Sequence, residues 1–402
     1  MSLPEEQSPA GAGPDGDDEG RHATNLELFL DLVFVFAVTQ VAGVLASDLT
    51  WAGFGRGLLL AWLVWWLWSQ FTWLGTAVDL SGRSAAQFLV LATVPLALLM
   101  AVALPDAYGS TGVEFAGAYL AVNLWALGIQ GRKLWGEPAT RAAWLRYLPL
   151  AAIAPCVLFA GAFLDGSART AVWAAVAVFN VGSALAAAGK GRKGTNAWTI
   201  DPSHFAERHA LFVIISLGEA LVAVGTSASG AELTPTIGRG LVVAVAMACV
   251  FWWTYFAYVP EAVEHTLRVA GPYERGRVAR DLFTFGHFPI VFGLVLYAVA
   301  AKHAVAHPTE HLADGDLVAL AGAVTLFVGG LAGLQFQAIR RVAPERVVVI
   351  LAVVALVATL GSELSGIVLI ALIAVAVAVQ QTITLRSFLR RSAIEDEAEP
   401  GR

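Results

Sequence analysis

Apolar runs separated by short polar breaks fill this chain from residue 26 to residue 385. Many approach 20 residues, the length that carries a helix across about 30 Å of hydrocarbon. Cutting at the polar and Pro/Gly-rich breaks predicts twelve spans. They cover 26–46, 57–77, 84–104, 113–131, 147–164, 170–188, 207–226, 240–258, 281–301, 316–338, 347–360 and 366–385. The eleventh, "VVVILAVVALVATL", is short before the break at "GSELSG". The predicted fold class is therefore all-α: a polytopic membrane protein of about twelve transmembrane helices.

Composition agrees with the pattern. Of the 402 residues 57% are hydrophobic and 14% charged, with mean hydropathy +0.69, whereas soluble domains carry roughly 25% charged residues. The net charge of −6 comes largely from the two tails and points to no nucleic-acid partner. Residues 1–25 are acidic and rich in Gly and Pro, without the basic segment of a cleavable signal, and read as a disordered tail. Cys156 and Cys249, each inside an apolar run, read as small core residues.

Basic residues test the count, because cytoplasmic loops collect Lys and Arg. With both tails on one side, the other side holds only Arg56, Arg169, Arg239 and Lys302 of the 25 Lys and Arg. The expectation is a cell-membrane protein with both termini cytoplasmic. An internal repeat is also legible. Spans 1 and 7 read "ELFLDLVFVFAVTQVAGVL" and "ERHALFVIISLGEALVAVG"; spans 2 and 8 share a tryptophan pair; spans 3 and 9 each carry one proline, Pro95 and Pro289. Two parallel six-helix repeats follow, 26–188 and 207–385, joined by a cytoplasmic linker at 189–206 and followed by a tail at 386–402. In that tail a basic patch precedes acids and should meet anionic headgroups.

Three stretches carry a resemblance: "ELFLDLVFVFAVTQ" at 27–40, "IDPSHFAERHALFVIISLGEALVAVG" at 200–225 and "RDLFTFGHFPIVFGL" at 280–294. Together with "WLVWWLWSQFTW" and "FWWTYF" they resemble the bacterial low temperature requirement protein A family over roughly residues 25–340. The resemblance implies a multi-pass membrane protein of a family named for growth in the cold, and no settled activity. Family members often carry an acid after the Tyr-Phe that ends span 8. Here Ala257 stands in its place, and any role of that acid is absent or moved to Glu261.

The candidate chemistry lies in charged residues at and inside the spans. Glu27 and Asp31 share one face of a helix, with Asp31 roughly 6 Å deeper. So close a pair of like charges needs a proton or a cation. Arg208, His209, Arg280 and His287 are the candidate partners, with Asp79, Glu207 and Asp281 completing an inner-face charge cluster. Glu27, Glu207 and Asp281 also fit as plain helix-end residues. Glu219 falls roughly 18 Å along its span, near the midplane, where an ionisable group marks an ion path or a helix tie. Gln40 is its counterpart in the first half. Asp31, Gln40, Glu219 and His287 are thus the candidates for a substrate or ion path. Neither a phosphate-cradling Gly loop nor a metal-ligand spacing is present, so no cofactor, metal or catalytic residue is expected. The leading expectation is a secondary transporter or ion-coupled permease acting on a small molecule or ion. The competing one is a non-transport protein that senses or organises the lipid bilayer in the cold.

Overall fold

Helix-start signals decide where the polar residues land. In the computed structural model, which describes residues 23–77, 85–136, 138–188, 200–229, 233–271 and 274–398, α1 (Asn25–Ser47) opens on a capping box. The Thr24 hydroxyl accepts from Glu27 N–H, and the Glu27 carboxylate accepts from Thr24 N–H. The chain continues through α2 (Trp51–Ala77), α3 (Ala85–Leu91), α4 (Thr93–Ala103), α5 (Gly112–Leu134), α6 (Pro138–Gly161) and α7 (Gly166–Ala188). Then α8 (Pro202–Ser229) opens with Pro202 at its first position, and the Asp201 side chain accepts from the N–H groups of Ser203 and His204. The remaining helices are α9 (Pro235–Phe256), α10 (Val259–Val269), α11 (Arg275–Ala279), α12 (His287–Ala306), α13 (Asp314–Ile339), α14 (Pro344–Leu360) and α15 (Gly366–Ala398).

Among the described residues there is no strand beyond one bridge pair, His311 and Ser365. Each of the twelve predicted stretches is helical over most of its described length, the third divided between α3 and α4 and the ninth opening in a π-helical turn. Among the described residues, ten helical stretches are long and apolar enough to cross a membrane. The other two are α14, with 17 residues, and α6, whose apolar part is only Leu148–Gly161. The segment between spans 8 and 9 is not a plain loop: α10 buries Val259, Val263 and Leu267 on one face and exposes Glu261 and Arg268. Helix α15 runs on through the basic patch to Ala398. The N-terminal tail to residue 22, residues 189–199 of the linker, and Asp79 lie outside the described residues.

Helix α12 is the axis of the bundle. Every residue from Ile290 to Ala301 is buried, and α12 packs on α13, α8, α1, α9 and α15. A Cβ on Gly293 would come within 2.7 Å of Ala323 O and 2.9 Å of Phe327 N. Only glycine allows α12 and α13 this approach, the usual basis of helix association where lipid removes the hydrophobic drive. The outer faces are apolar as well: Leu32, Leu58 and Val242 are exposed. Cys156 and Cys249 are exposed too, which corrects their reading as core residues. In a bundle bathed by hydrocarbon, a small apolar side chain is at ease on either face.

Two helices are interrupted ahead of a proline. A break at Ala92 separates α3 from α4, three residues before Pro95. A π-helical turn, Arg280–Phe285, precedes Pro289. Gly286 N–H bonds five residues back to Asp281 O. Continued in that register, Thr284 C=O would need the N–H that Pro289 lacks. The Trp65 indole donates to this carbonyl instead, at 2.7 Å.

Candidate functional site

The polar residues of α1 and α8 converge where both helices begin. Arg208 is 1% exposed and bridges the two acids of α1. Its Nη1 donates to Glu27 Oε1 at 2.8 Å and its Nη2 to Asp31 Oδ1 at 2.6 Å. Asp31 Oδ1 also accepts from Trp68 Nε1 of α2, at 2.7 Å. His204, one turn before Arg208 on the same face, places Nε2 3.1 and 3.2 Å from the two Glu27 oxygens. Glu27 is a helix-end residue but not a plain one. It is 2% exposed and caps α1 while pairing with α8. Gly75 of α2 makes room for it, since a Cβ there would lie 2.5 Å from Glu27 Oε1.

A second polar string continues from this cluster. The Trp68 ring stands edge-on to His209, at 5.0 Å, and His209 lies 5.2 Å from the His287 ring. His209 Nδ1 sits 2.8 Å from Phe205 O, and a carbonyl only accepts, so this nitrogen carries the hydrogen. The same argument gives His287 Nδ1 a hydrogen donated to Leu282 O at 2.9 Å. His287 Nε2 is then the acceptor for the Tyr255 hydroxyl at 2.8 Å. Four buried atoms of the two groups have no hydrogen-bond partner among the described residues: Asp31 Oδ2, His204 Nδ1, Arg208 Nε and His209 Nε2.

Beside the tryptophans lies a small apolar pocket lined by Val38, Val41, Trp65, Phe212, Phe288 and Phe292, among others. No charged residue lines it. Glu219, eleven residues beyond Arg208 on α8, and Gln40, nine beyond Asp31 on α1, are both half-buried. Glu219 stands beside the hydroxyl of Thr39.

The predicted cluster is therefore divided. Asp31, Glu27, Arg208, His209 and His287 come together. Arg280 turns away: it pairs with Asp281 and donates to Ala184 O at 2.7 Å, so it does not reach Asp31. Glu207 accepts from Ala23 N–H at 2.8 Å. Glu261 is exposed on α10 and takes no part. His204, Trp68 and Tyr255 are additions. His204 was within reach of spacing, four residues from Arg208. Trp68 and Tyr255 were not, because only tertiary packing aims an indole or phenol from another helix at these groups. Among the described residues no group of His, Cys, Asp and Glu could hold a metal ion.

An all-helical bundle with ten helical stretches, among the described residues, long and apolar enough to cross a membrane, and an acid–arginine–histidine cluster buried inside it, defines the class as a multi-span membrane protein. The chain belongs to the bacterial low temperature requirement A protein family, whose defining pattern matches residues 22–381. It is similar to an uncharacterized protein of Rhizobium meliloti (strain 1021), 30% identical over 315 residues, 76% of this chain and 75% of that one. No solved structure matches the chain.

Proposed function

We propose that this protein is a non-enzymatic secondary transporter that couples a small solute or ion to protons. Its chain crosses the membrane twelve times in two parallel six-helix halves, with both termini cytoplasmic. The observation that carries the reading is the charge count of the buried cluster. Two carboxylates, Glu27 and Asp31, face one guanidinium. The surplus negative charge sits where charges are costly. A proton on Asp31 or on His204 balances it, and releasing that proton requires something else to move. His209 Nε2, a bare acceptor, continues the route toward His287 and Tyr255. Glu219 is the ionisable group deeper along α8.

The twelve crossings rest on the match of every apolar stretch to a helix, and the orientation on the one-sided placement of Lys and Arg. The repeat draws support from the third helix of each half, interrupted ahead of its proline in both.

The test uses proteoliposomes with an entrapped pH dye and a panel of amino acids, organic acids and organic amines added outside. At least one class should move the lumenal pH in the wild type, and Asp31→Asn and Glu219→Gln should abolish the change while still giving monodisperse protein. Wild-type flux in both variants would sink the proton role. The second reading, a bilayer-organising protein without transport, has its own support. Every contact of Asp31 ties α1 to α2 or α8. Under it the same variants lose melting temperature, and no solute moves protons.

A further inference from the structure

A second buried cation lies apart from the acid–arginine–histidine cluster. Arg346, in the first turn of α14, is 0% exposed. None of its guanidinium nitrogens has a hydrogen-bond partner among the described residues, and no carboxylate there lies within ion-pair distance. Its one charge contact is the Tyr258 ring, 5.6 Å away. A bare guanidinium withdrawn from water costs far more than one cation–π contact returns. Something must supply acceptors.

Other unpartnered groups share its level. Helices α9 and α15 run side by side in one direction, since a Cβ on Gly240 would lie 3.2 Å from Ile367. Counting about 1.5 Å per residue along both brings Tyr258 level with the segment around Thr384. Thr384 in turn donates to Glu345, the neighbour of Arg346, at 2.8 Å. Gln381 is 0% exposed with both amide atoms unpartnered, and Gln380, 3% exposed, has a free carbonyl oxygen. Glu345 is occupied by Thr384 and makes no ion pair with Arg346.

The surface outside is of headgroup character. Arg340, Arg341 and Arg386 are exposed there, next to the exposed apolar side chains of Phe336, Ile339 and Val348. Helix α14 has only 17 residues. A short span draws lipid headgroups inward, to the depth at which Arg346 sits. A guanidinium fork with a neutral amide donor suits an oxyanion with several acceptor oxygens, and basic pockets between spans take anionic headgroups. We infer that Arg346 and Gln381 bind a phosphate group, that of an anionic phospholipid or a free phosphate ion, where the α9–α10 junction at Tyr258 meets α14 and α15.

The full chain, delipidated in dodecyl maltoside, tests this with three probes: dioleoylphosphatidylglycerol, inorganic phosphate and dioleoylglycerol, which has the same acyl chains without phosphate. Melting temperature and native mass spectra are the readouts. Phosphatidylglycerol should be retained and should raise the melting temperature, and dioleoylglycerol should do neither. Arg346→Met should weaken phosphatidylglycerol retention by about ten-fold or more, the size expected for losing charge-assisted hydrogen bonds. Arg239→Gln, exposed near the start of α9 and far from the site, should change it little. Stabilisation by inorganic phosphate alone assigns the site to the free ion. If Arg346→Met fails to give monodisperse protein, Gln381→Leu is read in its place, with a several-fold loss expected. Equal retention of phosphatidylglycerol by the wild type and the readable variant overturns the site. So does a wild type that responds to none of the probes, or equally to dioleoylglycerol.

Discussion

Asp31 is accommodated inside an apolar helix because Arg208 and Trp68 both reach it. Arg208→Met would leave Glu27 and Asp31 buried without their cation, a situation that costs about 3–5 kcal/mol. The expected outcome is a large fall in melting temperature in detergent, followed by tryptophan fluorescence. Asp31→Asn keeps an acceptor for Trp68 and removes one of two like charges, so its fall should be distinctly smaller. Trp68→Phe preserves the ring and deletes the donor to Asp31, which leaves the variant weaker by about 1–3 kcal/mol. Equal melting of Arg208→Met and the wild type would mean that the pair contributes nothing net. How much of this was legible depended on the residue. Asp31 and Arg208 stood out because charge in an apolar run is rare, and their depth followed from helical rise. Glu27 misled, since an acid in a first helical turn is ordinary and its burial comes from α2 and α8. Arg346 lies outside the predicted span 347–360, and nothing in "RRVAPERVVV" says that its side chain folds inward over Tyr258.

At the scale of elements, the bundle depends on how closely neighbouring helices approach. Gly293→Val would place methyl groups against backbone atoms of α13 already 2.7 and 2.9 Å from a Cβ. The helices would have to separate, and the variant should melt lower and lose the protection of α12 amides in hydrogen exchange. The turn between α1 and α2 has its own charge device. The Asp48 carboxylate accepts from the Thr50 N–H and hydroxyl and pairs with Arg56. The Thr50 hydrogen bonds, chiefly, hold its pKa below the ordinary carboxylate value. A carboxyl depressed on folding stabilises above its unfolded pKa, about 3.9, and that stabilisation disappears as pH falls through the folded value. Asp48→Asn should therefore melt lower than the wild type at pH 7, and the difference should shrink as pH falls through the folded pKa of Asp48. The sequence could mark the prolines of α4 and α12 as interruptions. That Trp65 takes the carbonyl freed near Pro289 required the packed structure, since the two are 219 residues apart.

For the whole molecule, the proposed twelve crossings with both termini cytoplasmic put the turn between α1 and α2 outside and the loop before α14 inside. In a variant with Cys156→Ala and Cys249→Ala, Arg341→Cys should react with a membrane-impermeant maleimide only from the cytoplasmic side, and Ser47→Cys only from outside. Reaction of both from one side would overturn the twelve-span topology. What the amino-acid sequence determined by itself was the class, the helical segments and the family. Those depend on local quantities: runs of apolar side chains long enough to span hydrocarbon, breaks of Pro and Gly, and the placement of Lys and Arg. Tertiary structure alone decided which charges meet. In a chain where nearly every helix is apolar all round, hydrophobic pattern does not say which face turns inward. Partner choice therefore fell to glycine contacts, caps and a few polar side chains. That is why Arg208 rather than Arg280 holds Asp31, and why Arg346 is left with an arene and no acid.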